Sequence, residues 1–192
     1  MTVTGILLAA GRAERFGSAK LEVPLPDGPD AGTALGVVAC RRLASVLDEV
    51  IAVVRAGDDA LRLGFEREGA RVVVSPRADE GIGASLATGV AAAQASTGYI
   101  VALADMPWIE AATIKRVAQA VRNGASIVAP VFRGMRGHPV GFSHAHRDAL
   151  LGLTGDEGAR SVIASHGHQL ALLDVDDPGV LQDVDTPRDI AR

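Results

Sequence analysis

Short apolar runs alternate with stretches of helical period along this chain, and that alternation restricts the fold more than any other feature. Val3 to Ala9 has the continuous apolar pattern of a buried strand, and Val50 to Val54, Val72 to Val74, Tyr99 to Leu103 and Ile127 to Ala129 repeat it. Between them, Leu35, Val38, Ala39, Leu43, Val46 and Leu47 fall on one helical face, and Ile114, Val117, Ala118 and Val121 on another. Leu61 to Glu68 and Ser85 to Ala95 also read as helices. Strand and helix in regular succession predict an α/β fold with a mostly parallel sheet and right-handed crossovers. With 192 residues the chain is the size of one domain, and residues 1–192 are expected to form it. Pro24 to Gly32 and Arg133 to Gly141 interrupt the pattern with turn chemistry, but neither is long enough to be a linker.

The balance of charges excludes some functions. Nineteen Lys and Arg against 23 Asp and Glu give a net charge of −4, unlike the basic face of a protein that coats nucleic acid. Aromatics at 3% leave too few rings for a base-stacking groove. Cys40 is the single cysteine, so neither an internal disulfide nor a cysteine-rich zinc site can form. The apolar start has no basic leader, and no run of about 18 apolar residues occurs. A cytoplasmic protein without membrane or nucleic-acid partners is expected.

The segment from Leu8 to Lys20 leaves the first strand at its carboxyl end, where ligands of open α/β sheets bind. Its glycines, Gly11 and Gly17, allow backbone N–H groups to approach phosphate oxygens. Arg12, Arg15 and Lys20 place three cations within nine residues, against Glu14. A triphosphate is the ligand that best uses such a loop. The glycine spacing fits neither a dinucleotide fingerprint nor a P-loop. A second chemical feature lies at the end of the fourth apolar run, where Asp105 follows Ala104 and precedes Met106 and Pro107. A third is Asp183-Val184-Asp185-Thr186-Pro187 near the C-terminus. A triphosphate requires a divalent cation, and Mg²⁺ usually takes one or two carboxylates, which Asp105 and Asp185 would supply. Each also has a plain alternative as a helix N-cap.

Two further segments could receive an anionic second substrate. Arg133 to Val140 carries Arg136, Gly137, His138 and Pro139, and a candidate helix start holds Gly155, Asp156 and Arg160. Their bland readings are a solvated turn and a helix capped by Asp156. Gly81 and Ser85 precede a helix, where the hydroxyl could cap or donate to an anion. The pairs His144/His146 and His166/His168 read as solvated or capping residues rather than metal ligands, and Cys40 as a packed thiol.

Taken in order, these segments resemble the nucleotidyltransferases. The first loop matches L-x-x-G-x-x-x-R-[MF]-G-x-x-K at Leu8, Gly11, Arg15, Phe16, Gly17 and Lys20. A-D-M-P is similar to the family's G-D-M-P, and D-V-D-T-P-R-D to its D-[IV]-[DN]-T-P-E-D. The set E-G-I-G-A-S-L, R-G-H-P-V and G-D-E-G-A-R resembles the molybdenum cofactor cytidylyltransferase branch, as does Leu8-Ala9-Ala10-Gly11, where guanylyl enzymes carry L-A-G-G. The chain departs from the family's patterns at Ala104, at the Pro24–Gly32 loop and at Arg188.

The resemblance implies a Rossmann-like three-layer α/β sandwich of the nucleotide-diphosphosugar-transferase type, with a mostly parallel sheet. It implies Lys20, Arg15 and Asp105 as catalytic residues. Leu8, Ala9, Ala10, Gly11, Arg12, Gly17, Lys20, Gly81 and Ser85 would hold the nucleotide. Arg136, Gly137, His138, Pro139, Gly155, Asp156 and Arg160 would hold the acceptor, and Asp105 and Asp185 would bind Mg²⁺ or Mn²⁺. The implied reaction is transfer of CMP from CTP to the phosphate of molybdopterin, with a molybdenum-hydroxylase-type apoenzyme or its chaperone as candidate protein partner. Two alternatives stay open: another phosphorylated acceptor such as a sugar or polyol phosphate, or a non-catalytic accessory protein that carries cofactor.

Overall fold

The computed structural model describes residues 2–11, 16, 19–93 and 95–190. Its elements in chain order are β1 (Val3–Leu8), α1 (Leu35–Ala44), β2 (Glu49–Val54), α2 (Asp59–Arg67), β3 (Arg71–Val74), α3 (Ile82–Ala92), β4 (Gly98–Leu103), α4 (Ala111–Arg122), β5 (Ile127–Phe132), β6 (Met135–Arg136), β7 (Val140–Ser143), α5 (Arg147–Leu151), α6 (Arg160–Ser165), β8 (Leu170–Asp174) and α7 (Pro187–Ile190). Short 3₁₀ turns link several of them. The α/β expectation holds.

Strands β3, β2, β1 and β4 lie side by side and parallel, and β5 pairs in parallel with β8. Between β4 and β5 runs β7, antiparallel to both. β1 is buried along its whole length, which is why it reads as an unbroken apolar run. Alternate residues serve opposite faces of the sheet. Val3, Leu7, Val50, Ala52, Val54, Ile100 and Ala102 pack with Cys40, Leu43, Phe65, Val117 and Val121, from α1, α2 and α4. Ile6, Leu8, Ile51, Val53, Tyr99 and Val101 pack with Leu86, Val90, Leu150 and Ile163, from α3, α5 and α6. That two-residue period across a sheet covered on both sides yields the three layers. α3 sits especially close to the sheet: a Cβ on Gly89 would lie 2.6 Å from Ile6 Cγ2 and 2.9 Å from Val53 Cγ2.

A third, smaller cluster joins Leu25, Leu35 and Val38 to Val184 and Ile190. It anchors the C-terminal segment against α1 and the Pro24–Gly32 loop. That loop closes through a bridge between Pro24 and Ala34, with Gly28 and Gly32 in left-handed conformations.

The turn-rich 133–141 segment is where the sequence reading falls short. Arg133 and Gly134, at φ 50° and 79°, form the two-residue turn of a hairpin between β5 and β6. The returning chain then becomes β7, a four-residue strand hidden from pattern reading by its glycine. β8 was missed for another reason: it is half exposed and its Leu172 faces outward. The histidines also differ from expectation. His146 is buried, its Nε2 lies 2.9 Å from Ser126 Oγ, and its ring meets that of His166 edge to face at 4.9 Å. Among the described residues no helix is long and apolar enough to cross a membrane.

Cys40 is a packing residue. It is fully buried in α1, and burial, aided by the charge of Glu68, pushes its thiol up to about 12. A thiol this protonated is a poor nucleophile. Native protein at pH 8 should therefore give no colour with Ellman's reagent over minutes, whereas urea-unfolded protein should react with one equivalent. Rapid reaction of the folded form would contradict this placement.

Candidate active site

The parallel pairing of β1 with β4 brings Leu8 beside Leu103, so the loops that follow both strands share one edge. Ala9, Ala10 and Gly11 leave β1 there, and Ala104 N–H donates to the Leu8 carbonyl at 3.0 Å as the chain turns into Asp105. Lys20 opens a short 3₁₀ turn, Lys20–Glu22. Its Nζ donates to Asp105 Oδ2 at 2.8 Å and lies 4.0 Å from Asp185 Oδ1. The lysine side chain is only 13% exposed, so the ammonium is held in place rather than solvated.

Asp185 reaches this point because of its neighbour. Val184 is fully buried in the third cluster, and its N–H donates to the Asp105 carbonyl at 3.0 Å. The residues on either side, Asp183 and Asp185, consequently lie near Asp105. Asp183 registers the crowding: partial burial and the charges of Asp185 and Asp105 hold its carboxyl above the usual range. The N-cap alternative fails for Asp105. Glu110 occupies the N-cap of α4, and before α7 it is Asp189 that reaches back, accepting from Thr186 N–H at 2.8 Å and Asp185 N–H at 3.2 Å.

A cavity of about 950 Å³ opens over this edge. Predicted residues that line it are Leu8, Ala9, Ala10, Gly11, Lys20, Gly81, Ser85, Asp105, Asp156 and Asp185. Its far wall is the start of α3. Gly81, at φ 110°, is the N-cap there; a Cβ on it would lie 2.3 Å from Asp156 Oδ1 and 2.5 Å from the Gly155 carbonyl. Gly83 N–H donates to that carbonyl at 2.8 Å. The 155–156 loop thus docks directly on the first turn of α3. Ser85 is not the cap: it sits one turn inside, its hydroxyl 3.4 Å from the Gly81 carbonyl. Asp156 is not the cap of α6, which begins at Arg160 behind Ala159.

Arg55 is the residue that sequence reading missed. It follows the apolar run of β2 and joins three segments of the cavity. Nη1 donates to the Ala10 carbonyl at 2.9 Å and to the Ala78 carbonyl at 3.4 Å, while Nη2 pairs with Asp79. The available signal was a cation placed directly after five buried residues of a central strand, at the same edge as the glycine loop.

The predicted acceptor segments lie beside the cavity rather than along it. Apart from Asp156, none of Arg136, Gly137, His138, Pro139, Gly155 and Arg160 lines it. Of them, His138 lies within the field of the Asp105 carboxylate. Burial, with the charges of Arg136 and Arg160, pushes the His138 imidazole below the usual histidine range, and Asp105 opposes that shift. His138 N–H donates to the Val180 carbonyl at 2.9 Å. A Cβ on Gly137 would lie 2.2 Å from that same carbonyl, so the strap needs glycine to lie flat. Three expected nucleotide contacts, Arg12, Arg15 and Gly17, fall outside the described residues.

Residues 5–170 match the MobA-like NTP transferase domain. The chain belongs to the MobA-like NTP transferase family. The nicotine blue oxidoreductase of Paenarthrobacter nicotinovorans is 32% identical over 203 residues, covering 99% of this chain and 95% of that protein. The purine catabolism protein PucB of Bacillus subtilis is 31% identical over 199 residues, covering 96% and 92%. The crystal structure of Rv0371c from Mycobacterium tuberculosis superposes with a TM-score of 0.84 at 31% identity, covering 100% of this chain and 96% of that one. A manganese complex of Rv0371C has also been solved, and it superposes with a TM-score of 0.80 at 29% identity over 100% and 97%.

Arg55 ties the Ala10 and Ala78 carbonyls together at the cavity wall, where the expected nucleotide would sit. Replacing Arg55 by Ala releases the Ala10 carbonyl from a charge-assisted hydrogen bond worth about 1.5–3 kcal/mol. Nucleotide affinity measured by titration calorimetry should drop about tenfold or more. Unchanged affinity would show that the guanidinium is merely decorative.

Proposed function

We propose that this chain transfers CMP from CTP to the terminal phosphate of molybdopterin and releases pyrophosphate. The observation that carries the reading is the Lys20–Asp105–Asp185 cluster at the edge of the cavity, facing the first turn of α3. An acceptor phosphate oxygen attacks the α-phosphorus of CTP, the bond from that phosphorus to the β-bridging oxygen breaks, and the electron pair leaves with pyrophosphate. A phosphate monoester has a second pKa near 6, so at neutral pH the nucleophile needs no base. The protein's work is positioning and charge.

The residues present fit a divalent ion. Lys20 occupies Asp105 Oδ2, while the buried Oδ1 has no hydrogen-bond partner among the described residues. Among the described residues no group of three or more His, Cys, Asp or Glu is placed to hold a metal ion by itself. Two carboxylates would leave the other positions to water and phosphate oxygens, the usual habit of Mg²⁺ in nucleotide sites. The manganese complex of Rv0371C supports a divalent ion in this family, and Mn²⁺ is the alternative to Mg²⁺. When bound at Asp105 and Asp185, the ion would supply positive charge to the phosphate oxygens. Lys20, and by resemblance Arg15 and Arg12, would add cationic charge toward the leaving pyrophosphate. Backbone N–H groups of Ala10 and Gly11 would hold the triphosphate, as would Gly17, with Leu8, Ala9, Gly81 and Ser85 shaping the pocket.

CTP is favoured by Ala10, which is buried and lines the cavity; its methyl narrows the space beside the base. Arg136 and Arg160 flank His138 near Asp105 and suit an anionic acceptor, held in place by Gly137, Pro139, Gly155 and Asp156. Two relatives are named for an oxidoreductase and for purine catabolism. Those names accord with a role in supplying cofactor to a molybdenum-hydroxylase-type apoenzyme or its chaperone.

Pyrophosphate release from CTP, GTP and ATP, each with Mg²⁺ and molybdopterin, should be fastest with CTP. Release only with a sugar or polyol phosphate would transfer the proposal to that acceptor, and no release with any pair would favour a non-catalytic carrier. Asp105→Ala should lower kcat by roughly 10²–10³, the loss typical of one preorganised electrostatic group. Turnover equal to the wild type would remove Asp105 from the chemistry.

A further inference from the structure

At the end of the sheet away from the cavity, where β5 and β8 start and β7 finishes, four polar side chains form one chain of hydrogen bonds. His146 Nε2 lies 2.9 Å from Ser126 Oγ, Ser126 Oγ donates to Gln169 Oε1 at 2.6 Å, and Gln169 Nε2 lies 3.2 Å from His168 Nε2. The hydroxyl has one proton and Gln169 takes it, so His146 Nε2 must donate to Oγ. The amide N–H donates in turn to His168 Nε2, which therefore presents a lone pair. The chain thus runs from a buried imidazole to one on the surface. Beside it, the His146 ring meets that of His166 edge to face, with centroids 4.9 Å apart, and that of Phe142 at 6.2 Å. His166 Nδ1 lies 3.0 Å from the Val162 carbonyl, so that nitrogen carries a proton.

This arrangement suits neutral rings and resists charged ones. A proton added at His168 Nε2 would set donor against donor at Gln169. A proton added to His146 would put a charge into a buried site, and two imidazolium rings at 4.9 Å repel. Burial first, and then the charge of His166, hold the His146 imidazole below the usual histidine range. The other charged and titratable neighbours are engaged elsewhere: Arg147 and Asp148 act on Tyr99, and His144 Nδ1 lies 2.9 Å from the Ser96 carbonyl. A base whose pKa is depressed by folding contributes stability that is complete above its ordinary value and is lost as the pH falls below it.

His166 closes α6 at its C-terminal end. Before the other end of the same helix comes the 155–156 loop, docked on α3 by the 2.8 Å bond from Gly83 N–H to the Gly155 carbonyl. Between them, Val162 and Ile163 belong to the core cluster that contains Leu86 and Val90 of α3. A helix of six residues has little stability of its own and depends on what is packed around it. We propose that His146, His166 and the Ser126–Gln169–His168 chain form an acid-sensitive latch on α6, which holds the 155–156 loop against the cavity wall at neutral pH and releases it in acid. Protonated histidine clusters are known to bias two-state elements in this way. The cavity would then have a firm α3 wall at neutral pH and a loosened one below the ordinary histidine range.

The test is amide hydrogen exchange on the full chain followed by NMR, corrected for the intrinsic pH dependence of exchange. Gly83 reports the latch directly, because its N–H makes the docking bond. Between pH 7.5 and 5.5 the protection of Gly83, Ile163 and His166 should fall by up to about tenfold, the most that one suppressed histidine titration contributes over that interval. Ile6 and Val101 in the central strands should keep their protection. His146→Gln retains a side-chain N–H for Ser126 Oγ but does not titrate, and it should flatten the response at Gly83. Gly83 protection that is level with pH in the wild type would overturn the proposal, and that measurement decides even if the variant fails to fold. A fall that persists undiminished in His146→Gln would overturn it too. So would an equal loss at Ile6, which would mark acid unfolding of the whole domain. No nucleotide enters these measurements, so the transferase reading is judged separately.

Discussion

Lys20 sets the electrostatics on which the rest of the site depends. Asp105, Asp183 and Asp185 are drawn together at the edge of the sheet, and like charges at short range resist shared ionisation. The ammonium at 2.8 Å from Asp105 and 4.0 Å from Asp185 offsets that repulsion. Asp183 is less favoured: partial burial first, and then the charges of Asp185 and Asp105, raise its affinity for a proton. The packing that holds Lys20 in place is also what fixes the carboxylates. Val184 lies in the cluster that includes Leu35 and Val38, with Leu21, next to Lys20, packed against it. One small apolar cluster therefore serves as the foundation of a charged one.

The sheet explains why the cluster forms at that edge. From β1 the chain winds outward through β2 and β3, then returns to place β4 on the other side of β1. The order reverses between β1 and β4, and the loops leaving those two strands diverge to opposite faces, opening a crevice at their carboxyl ends. Ala9 to Gly11 and Asp105 are the residues that leave there. Arg55 leaves β2 next door and Ala78 follows β3, so the four parallel strands all contribute to one cavity. The antiparallel β7 extends the construction. It lets the chain double back beside β4, which is how the His138 strap arrives near Asp105 from a remote part of the sequence.

Most of this frame is legible in the sequence because it rests on local regularities. Continuous apolar runs name the central strands, and a helical period names α1 and α4. Asp105 and Asp185 are legible because each is an acid beside buried apolar residues, at a strand end or next to Val184. What escapes detection depends on contacts between distant segments. Nothing around Val140 to Ser143 says that β7 will be clasped by β4 and β5, since its strand character is supplied by its neighbours. Arg55 looks like an ordinary surface cation until the Ala10 and Ala78 carbonyls are seen to converge on it. The histidines show the same limit: spacing pairs His144 with His146, but folding pairs His146 with His166.

The acidic total of −4 is likewise a poor guide to what the molecule can bind. Long-range attraction to a polyanion depends on a summed field over a broad surface, and this chain lacks the excess for it. A small anion responds to the few charges within a Debye length, about 10 Å at 0.1 M salt. The site presents Lys20 and Arg55 on the cavity side, and Arg136 and Arg160 act on His138 beside it. Lys20 sits among the carboxylates, where a divalent ion would offset more of their charge. The acidic residues are thus compatible with an anionic ligand only as long as a cation sits among them, so metal and nucleotide binding are expected to be mutually reinforcing rather than independent.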